Sequence, residues 1–114
     1  MKRFPSIKKN TDFRAAYALK KSKAADTMAV YIRSNGTDGN RLGVSVSKKT
    51  GNSVVRHTVT RKMREIFRKN NDSAVQGYDI VIVIRNRGAA ASYGELEKDY
   101  LKLLRDHKLL SGSK

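Results

Sequence analysis

Residues 41–69 read RLGVSVSKKTGNSVVRHTVTRKMREIFRK, and this stretch predicts the centre of the fold. Its first apolar residues alternate with glycine and serine, which is the period of two expected for a strand with one buried face: Leu42, Val44 and Val46. Gly51 then indicates a turn. Asn52 precedes a run of apolar residues at helical spacing, where its side chain can accept a hydrogen bond from the first turn. The stretch therefore predicts a strand, a turn and a long helix that starts near Ser53.

The predicted helix has two different faces when its residues are placed about 100° apart. Its core face holds Val55, Val59, Met63, Ile66 and Phe67, with Lys62 in the same arc. Its opposite face carries a cationic row, defined as His57, Arg61, Arg64 and Arg68, with Arg56 and Thr60 beside it. Glu65 lies at the edge of this row, so no acidic residue is expected to interrupt it. Because like charges at this spacing repel each other, the row favours a polyanionic partner; a simply solvated helix face is the alternative.

The whole chain is strongly basic, since 25 Lys and Arg against 10 Asp and Glu give its 114 residues a net charge of +15. This excess favours nucleic acid, because phosphate contacts release counterions and lose affinity as salt rises. The length predicts a single domain over residues 1–114. Its charge indicates that this is an RNA-binding domain. The longest apolar run, residues 80–84, is too short to cross a bilayer, and residues 1–9 lack the apolar segment of a secretory signal. We therefore expect a cytoplasmic protein without a membrane partner, and the absence of cysteine fits a reducing compartment. No small-molecule substrate is expected.

The remaining segments predict an α+β fold with the order α-β-β-α-β-α, in which one small sheet and its helices form a two-layer sandwich. The first half is predicted to contain an extended basic segment over 1–9, a helix capped by Asn10 or Thr11 that ends near Lys21, and strands over 28–33 and 42–47. The second half adds a central strand over 78–84, a helix with a Ser92–Glu95 capping box and the stripe Leu96, Tyr100, Leu103 and Leu104, and a flexible tail over 111–114. Turn residues over 35–40 predict a hairpin that makes the first two strands antiparallel neighbours.

Three aromatic residues are candidates for contact with unpaired bases. Phe13 and Tyr17 share one face of the first helix with Ala16, and Tyr31 lies on the face of its strand opposite the apolar residues Met28, Val30 and Ile32. Ser45 and Ser47 on the next strand would complete a shallow groove beside Tyr31. Stacking on bases is favoured by the basic neighbours Lys8, Lys9, Arg14, Lys20 and Lys21. The alternatives are that Phe13 and Tyr17 are core residues and that Tyr31 is an ordinary cross-strand partner.

The sequence shows no pattern typical of a catalytic site. His57 and His107 are the only histidines, and their separation is not a metal-binding spacing. Carboxylates such as Asp38, Asp72 and Asp79 fall in turns or where strands begin, so caps and turns are expected to explain them. The chain alone is therefore not expected to be a catalyst, and a protein-only nuclease is disfavoured because clustered carboxylates are missing.

Residues 41–67 resemble the signature of the bacterial ribonuclease P protein subunit, in which a strand of the type GxSVSKKxGNAVxR leads into an arginine-rich helix. Residues 7–13, IKKNTDF, are similar to the LKKNxDF segment of that family. The resemblance implies a left-handed βαβ crossover, a rare handedness, formed by the strand over 42–47, the helix after Asn52 and the strand over 78–84. It also implies a catalytic RNA partner whose bound Mg²⁺ ions hydrolyse the phosphodiester that releases the 5′ leader of precursor tRNA, with no metal bound strongly by the protein.

The resemblance assigns two surfaces to this chain. The surface for the catalytic RNA would use Lys48, Lys49, Asn52, Arg56, His57, Arg61, Arg64 and Arg68. The cleft for the precursor tRNA leader would use Phe13, Tyr17 and Tyr31, with Lys49 at its edge. Residues 56–61, RHTVTR, depart from the family's Arg-Asn-Arg and Lys-Arg pattern, and His57 is expected to replace the missing amide as a hydrogen-bonding group. The alternative function is a structural RNA-binding protein such as a ribosomal protein.

Overall fold

A computed structural model of the chain describes residues 6–7, 10–18 and 22–109, and within them a single four-stranded mixed sheet carries helices on both faces. The first elements are α1 (Asn10–Ala18), β1 (Ser22–Ala24), β2 (Met28–Ser34) and β3 (Arg41–Ser45). They are followed by α2 (Ser53–Asn70), a short 3₁₀ turn (Asn71–Ser73), β4 (Tyr78–Ile84), α3 (Asn86–Ala89) and α4 (Tyr93–Asp106). The predicted α+β fold is confirmed, with β1 and α3 as additional short elements. The predicted two-layer arrangement is wrong, because α1 packs on the sheet face opposite α2 and α4.

The strand order is β1-β2-β4-β3, which differs from the predicted pairing. β2 pairs antiparallel with β4, from Met28↔Ile84 to Ser34↔Tyr78, and β3 pairs parallel with β4. The predicted hairpin between β2 and β3 is therefore wrong, because β4 lies between these two strands. The physical reason is burial. Most residues of β4 are buried, so β4 buries the most apolar surface when it lies at the centre of the sheet with a strand on each side.

The crossover from β3 through α2 to β4 is a βαβ unit. Its two strands are adjacent and parallel, and a parallel pair needs a long connection such as a helix. The side chain of Asn52 caps this helix, since its Oδ1 accepts a hydrogen bond of 3.0 Å from the amide of Val55. The predicted start of the helix at Ser53 is confirmed, while the left-handedness implied by the family resemblance stays a prediction.

The main core lies between one face of the sheet and the helices α2 and α4. The sheet contributes Met28, Val30, Ile32, Ile80, Ile82 and Ile84, and the helices contribute Val59, Met63, Ile66, Phe67, Leu96, Tyr100, Leu103 and Leu104. This arrangement confirms the apolar stripe predicted for α4 and that of α2 from Val59 onward, whereas Val55 in the first turn of α2 is only half-buried and lies outside the core. Lys62, in the same arc as the stripe of α2, is half-buried and its Nζ lies 3.3 Å from the carbonyl oxygen of Ala91.

The Ser92–Glu95 capping box at the start of α4 is also confirmed. Ser92 Oγ accepts from the amide of Glu95 at 3.1 Å, and Glu95 Oε1 accepts from the amide of Ser92 at 3.0 Å. These hydrogen bonds favour the ionised carboxylate and hold the pKa of Glu95 below its ordinary value. The box satisfies two amides of the first turn that have no partner within the helix.

Several sequence predictions fall on residues outside the described ranges. They are the extended segment over 1–9 except for Ser6 and Ile7, the side chains of Asn10 and Thr11 as caps, the helix end near Lys21, and the tail over 111–114. Ser6 forms a parallel bridge with Leu42, and the amide of Ile7 donates to the carbonyl of Leu42 at 2.9 Å. Within the part of the chain that the structure describes, none of the helices has the length and apolar character needed to span a membrane.

Candidate nucleic-acid interface

The helix α1 packs on the sheet face opposite the main core. Strand pairing places Tyr31, Val81 and Gly43 in one row across β2, β4 and β3, and alternation turns this row toward α1. Ala16 and Val81 are buried in a small second core with Ile7, and Phe13, Tyr17 and Tyr31 pack against it while half-buried. The three aromatic residues predicted from sequence are therefore brought together at one site.

The aromatic residues are neither fully buried nor freely exposed. The rings of Tyr17 and Tyr31 meet edge to face, with centroids 4.9 Å apart and an interplanar angle of 82°. Such pairs prefer this geometry because the positive edge of one ring meets the negative face of the other. Tyr31 thus supports Tyr17 from the sheet.

A cavity of about 420 Å³ opens beside these rings, lined by Phe13, Arg14, Tyr17, Val44 and Ser45. We name it the aromatic cleft. The expected floor, with Ser45 and Ser47 on the strand next to Tyr31, is wrong because β4 separates β2 from β3. Ser45 reaches the cleft from the β3 side instead. Sequence reasoning noted Arg14 only as a basic neighbour of Phe13, and no local signal placed Val44 at the cleft, because that depends on how α1 crosses the sheet.

The loop between β3 and α2 exposes Lys48 and Lys49. A hydrogen bond of 3.0 Å from the amide of Thr50 to the carbonyl of Ser47 closes the turn that carries them. Because the carboxyl ends of parallel strands meet at one edge, this loop lies beside the segment after β4. Thr50 Oγ1 lies 3.4 Å from Asn86 Oδ1, and the exposed Arg85 and Arg87 flank that asparagine.

The cationic row lies on one exposed face of α2, as predicted, since His57, Arg61, Arg64 and Arg68 are all exposed. Glu65 reaches the end of the row and forms an ion pair with Arg68. The expectation that no acidic residue interrupts the row is therefore wrong at Arg68, because residues three apart on a helix are neighbours. Arg56 is half-buried, and its buried Nε has no hydrogen-bond partner among the described residues.

Two threonines occupy positions of the departure from the family pattern. The hydroxyl of Thr58 donates to the carbonyl of Val54 at 2.9 Å, and that of Thr60 donates to the carbonyl of Arg56 at 2.8 Å. Each hydroxyl is directed to its own helix backbone, the usual local alternative for threonine in a helix. His57 is exposed beside them.

Asp79 is fully buried on the same sheet face as Tyr31 and Gly43. Arg41 binds it with two hydrogen bonds, from Nε at 2.8 Å and from Nη2 at 2.7 Å. Arg33 Nη1 lies 3.5 Å from its carboxylate, and Asn35 Nδ2 donates to it at 3.1 Å. The prediction that a cap or turn explains Asp79 is wrong, because this carboxylate compensates arginines on both neighbouring strands.

Potential metal ligands are not clustered in the described ranges, where no group of three or more His, Asp or Glu side chains is placed to hold a metal ion. The site is instead cationic and aromatic. Two surfaces meet around β3: the aromatic cleft on the α1 side, and the lysine loop that leads into the cationic row. This arrangement suits phosphate groups and exposed rings.

The fold and this site define a class of small basic α+β domains in which a cationic helix face adjoins an aromatic cleft. The family model described as Ribonuclease P matches residues 1–108. The chain therefore belongs to the ribonuclease P protein component family.

Relatives and solved structures agree with this membership. The chain is 43% identical over 113 residues to the "Ribonuclease P protein component" of Alkaliphilus oremlandii, covering 99% of each chain. It is similar to the RNase P protein of Staphylococcus aureus with a TM-score of 0.84 and 33% identity, covering 96% of this chain and 100% of that one. Similarity to the RNase P protein of Thermotoga maritima gives a TM-score of 0.81 and 30% identity, covering 89% of this chain and 96% of the other.

Proposed function

We propose that this chain binds the catalytic RNA of ribonuclease P and the 5′ leader of precursor tRNA, and thereby assists the Mg²⁺-dependent endonucleolytic maturation of the tRNA 5′ end. One observation carries the proposal: Phe13 of the aromatic cleft and Arg64 of the cationic row line one small cavity beside β3, and the exposed Lys48 and Lys49 lie on the loop from β3 to α2. A single-stranded leader bound in the cleft would then emerge from the cleft close to an RNA bound by α2. The reactive Mg²⁺ ions would belong to the RNA, and the reaction would take place in the cytoplasm.

The surface proposed for the catalytic RNA is the loop and exposed face of α2. Lys48, Lys49, Arg61 and Arg64 are exposed side chains, which can reach phosphate oxygens without leaving a buried site. Arg56 adds a buried Nε–H group that lacks a hydrogen-bond partner among the described residues. Since an unsatisfied buried donor costs free energy, a phosphate oxygen at this position would stabilise the complex.

The surface proposed for the leader is the aromatic cleft. Phe13 and Tyr17 expose part of each ring at its wall, and Arg14 adds a cation at the same opening. Aromatic rings stack with any base, and nearby cations hold the backbone, so this combination suits a single strand of variable sequence. Lys49 would contact the leader where it leaves the cleft toward α2.

Reconstitution tests this function directly. The protein is added to a transcribed bacterial ribonuclease P RNA and a precursor tRNA at low Mg²⁺, and 5′ cleavage is measured. We expect the protein to raise cleavage strongly while cutting nothing without the RNA. No stimulation would support a structural RNA-binding role, and cleavage by protein and Mg²⁺ alone would support a protein-only nuclease.

A substitution behind the wall of the cleft tests the leader assignment. Tyr31→Ala removes the ring that supports Tyr17, and should weaken the binding of precursor tRNA relative to mature tRNA by about 1–3 kcal/mol if a base stacks at this site. Affinity for the catalytic RNA should not change. The matched control is Tyr93→Ala, which removes a half-buried tyrosine on the main-core side of the sheet. Equal loss for both tRNA forms would contradict a leader contact at Tyr31.

A further inference from the structure

We propose that Gly43 is a positioning residue for the leader: the absence of a side chain at this position sets the depth at which the Phe13 ring sits and thereby the shape of the aromatic cleft. The inference rests on the proposed function, because it concerns the use of that cleft. It assigns a role in substrate selection to a glycine that touches no RNA in the proposed complex.

The sheet side chains that pack against α1 decrease in size from β2 to β3. The row that faces α1 runs from Tyr31 through Val81 to Gly43, so the sheet surface falls from a large to a small side chain. At the tyrosine end, Tyr17 of α1 meets the ring of Tyr31. At the glycine end, the ring of Phe13 occupies the space that a side chain on β3 would fill.

Neighbouring side chains already fill the space in which a side chain at position 43 would lie. A Cβ atom added there would lie 2.7 Å from both Cε1 and Cζ of Phe13 and 3.1 Å from Cδ1 of Ile7. Carbon atoms in contact prefer a separation of about 3.5–4.0 Å, so the ring would have to move by roughly 1 Å. Gly43 pairs with Val81 as a regular strand residue, which means that space, rather than an unusual backbone conformation, is what requires glycine.

The direction in which the ring can move is restricted. Ile7 is 6% exposed and its amide is hydrogen-bonded to Leu42, so the segment beside the ring is fixed to β3. Phe13 lines the aromatic cleft on one side and, on the other, a smaller cavity of about 110 Å³ that includes Gly43 and Arg64. A side chain at position 43 would push the ring away from the sheet, and this movement would change the wall that a leader base contacts.

The test uses the full-length protein reconstituted with the transcribed ribonuclease P RNA. Dissociation constants are measured for precursor tRNA and for mature tRNA with the wild type and with Gly43→Ala. We expect the preference for precursor to fall about fivefold or more, the scale of one lost base-stacking contact, with unchanged affinity for the catalytic RNA. The matched control is Gly39→Ala, where an added Cβ meets nothing within 4 Å and the preference should not change.

A second variant shows whether Gly43 acts through Phe13. Leucine lacks the Cε1 and Cζ atoms that an added Cβ would meet, so Gly43→Ala in a Phe13→Leu background should change the preference less than about twofold. Equal effects of Gly43→Ala in both backgrounds would overturn the inference. Should Gly43→Ala alone fail to fold, thermal melting of the double variant should show recovered folding, and no recovery would equally overturn it.

The outcomes separate this inference from the proposed function. A wild type that shows no preference for precursor over mature tRNA rejects the proposed leader-binding function and this inference with it. A wild type with that preference, together with a folded Gly43→Ala variant that keeps all of it, rejects only the role of Gly43.

Discussion

The carboxylate of Asp79 shows how single residues stabilise the sheet face beside the aromatic cleft. It is fully buried, while the side chains of Arg41 and Arg33 are 34% and 32% exposed. A buried charge is tolerated only when partners and hydrogen bonds replace its water. The guanidinium groups supply these partners and still reach solvent, so the cluster joins three strands at their ends.

Removing one partner of this cluster should cost much of the protein's stability. Arg41→Met keeps the apolar stem but removes both hydrogen bonds to Asp79, leaving the buried carboxylate undercompensated. We expect the free energy of unfolding to fall by about 3 kcal/mol. Urea denaturation measures this change. Lys102→Met is the control, since Lys102 pairs with Asp106 at 3.7 Å on an exposed helix face and should change little. Similar small losses for both variants would contradict the role of Asp79.

His107, the residue that follows α4, adds a pH dependence to the stability of the protein. Burial lowers its pKa below the ordinary value, although its Nε2 lies 2.8 Å from the carbonyl oxygen of Val30; nearby Lys23 also lowers the pKa and Asp106 opposes it. The unfolded chain then binds a proton more readily than the native protein. The contribution of His107 to the free energy of unfolding should be fully present above about pH 6.5. It should be lost as the pH decreases toward the lower pKa of the native state.

Denaturation at several pH values between neutral and mildly acidic conditions tests this titration. The fall in the free energy of unfolding should be present in the wild type and reduced in His107→Gln, whose amide can still donate to Val30 but does not titrate. His57→Gln is the matched control, because His57 is exposed on α2. If His57→Gln alone reduced the pH dependence, the assignment to His107 would be wrong.

At the scale of an element, α2 combines a buried apolar stripe with the cationic row. The stripe fixes the rotation of the helix, and with it the side from which the arginines project. Glu65 divides the row into unequal parts, since it forms an ion pair with Arg68 at the C-terminal end. An RNA phosphate at Arg68 would have to compete with this carboxylate, whereas one at Arg61 would not, because Glu65 pairs with Arg68.

Arg61 and Arg68 should therefore contribute differently to the salt dependence of RNA binding. Arg61→Ala should flatten the slope of log affinity against log salt for the catalytic RNA by about 0.7–0.9, the loss of one phosphate contact. Arg68→Ala should flatten it less, and Glu65→Gln should tighten binding because it removes the internal competitor. Binding titrations at a series of salt concentrations measure all three. An unchanged slope for Arg61→Ala would exclude that arginine from the interface.

At the scale of the whole molecule, a net charge of +15 on 114 residues opposes the native state by self-repulsion. Bound polyanions should reduce this repulsion, and a ligand that binds only the native state raises stability by mass action. Folding and RNA assembly would then be coupled through charge. The coupling can be measured without RNA by using a small anion.

Pyrophosphate should raise the melting temperature of the free protein. At a concentration about 100 times its Kd, a single bound anion would add about 2.7 kcal/mol to the free energy of unfolding. Thermal melts followed by circular dichroism measure the shift, with sodium chloride at equal ionic strength as the control. The same melting temperature in both solutions would show that the positive surface holds no specific anion site.

The features that could be predicted from the sequence are those that depend on local patterns. The start of α2 at Ser53, the cap by Asn52 and the Ser92–Glu95 box were predictable because each depends on residues within one helical turn. The buried faces of β2, α2 and α4 followed from periodicity for the same reason. The signature over residues 41–67 then indicated the family, which the family match over residues 1–108 confirms.

Composition and near neighbours along the chain are sufficient to predict the net charge, the capped starts of α2 and α4, most of the buried faces and the cationic row. Only the tertiary structure decided that β4 separates β2 from β3. That choice created the row from Tyr31 to Gly43, the compensation of Asp79 and the wall of the aromatic cleft. A period of two specifies which face of a strand is buried but not which strand pairs with it, since pairing depends on burial and hydrogen bonds between segments far apart in sequence.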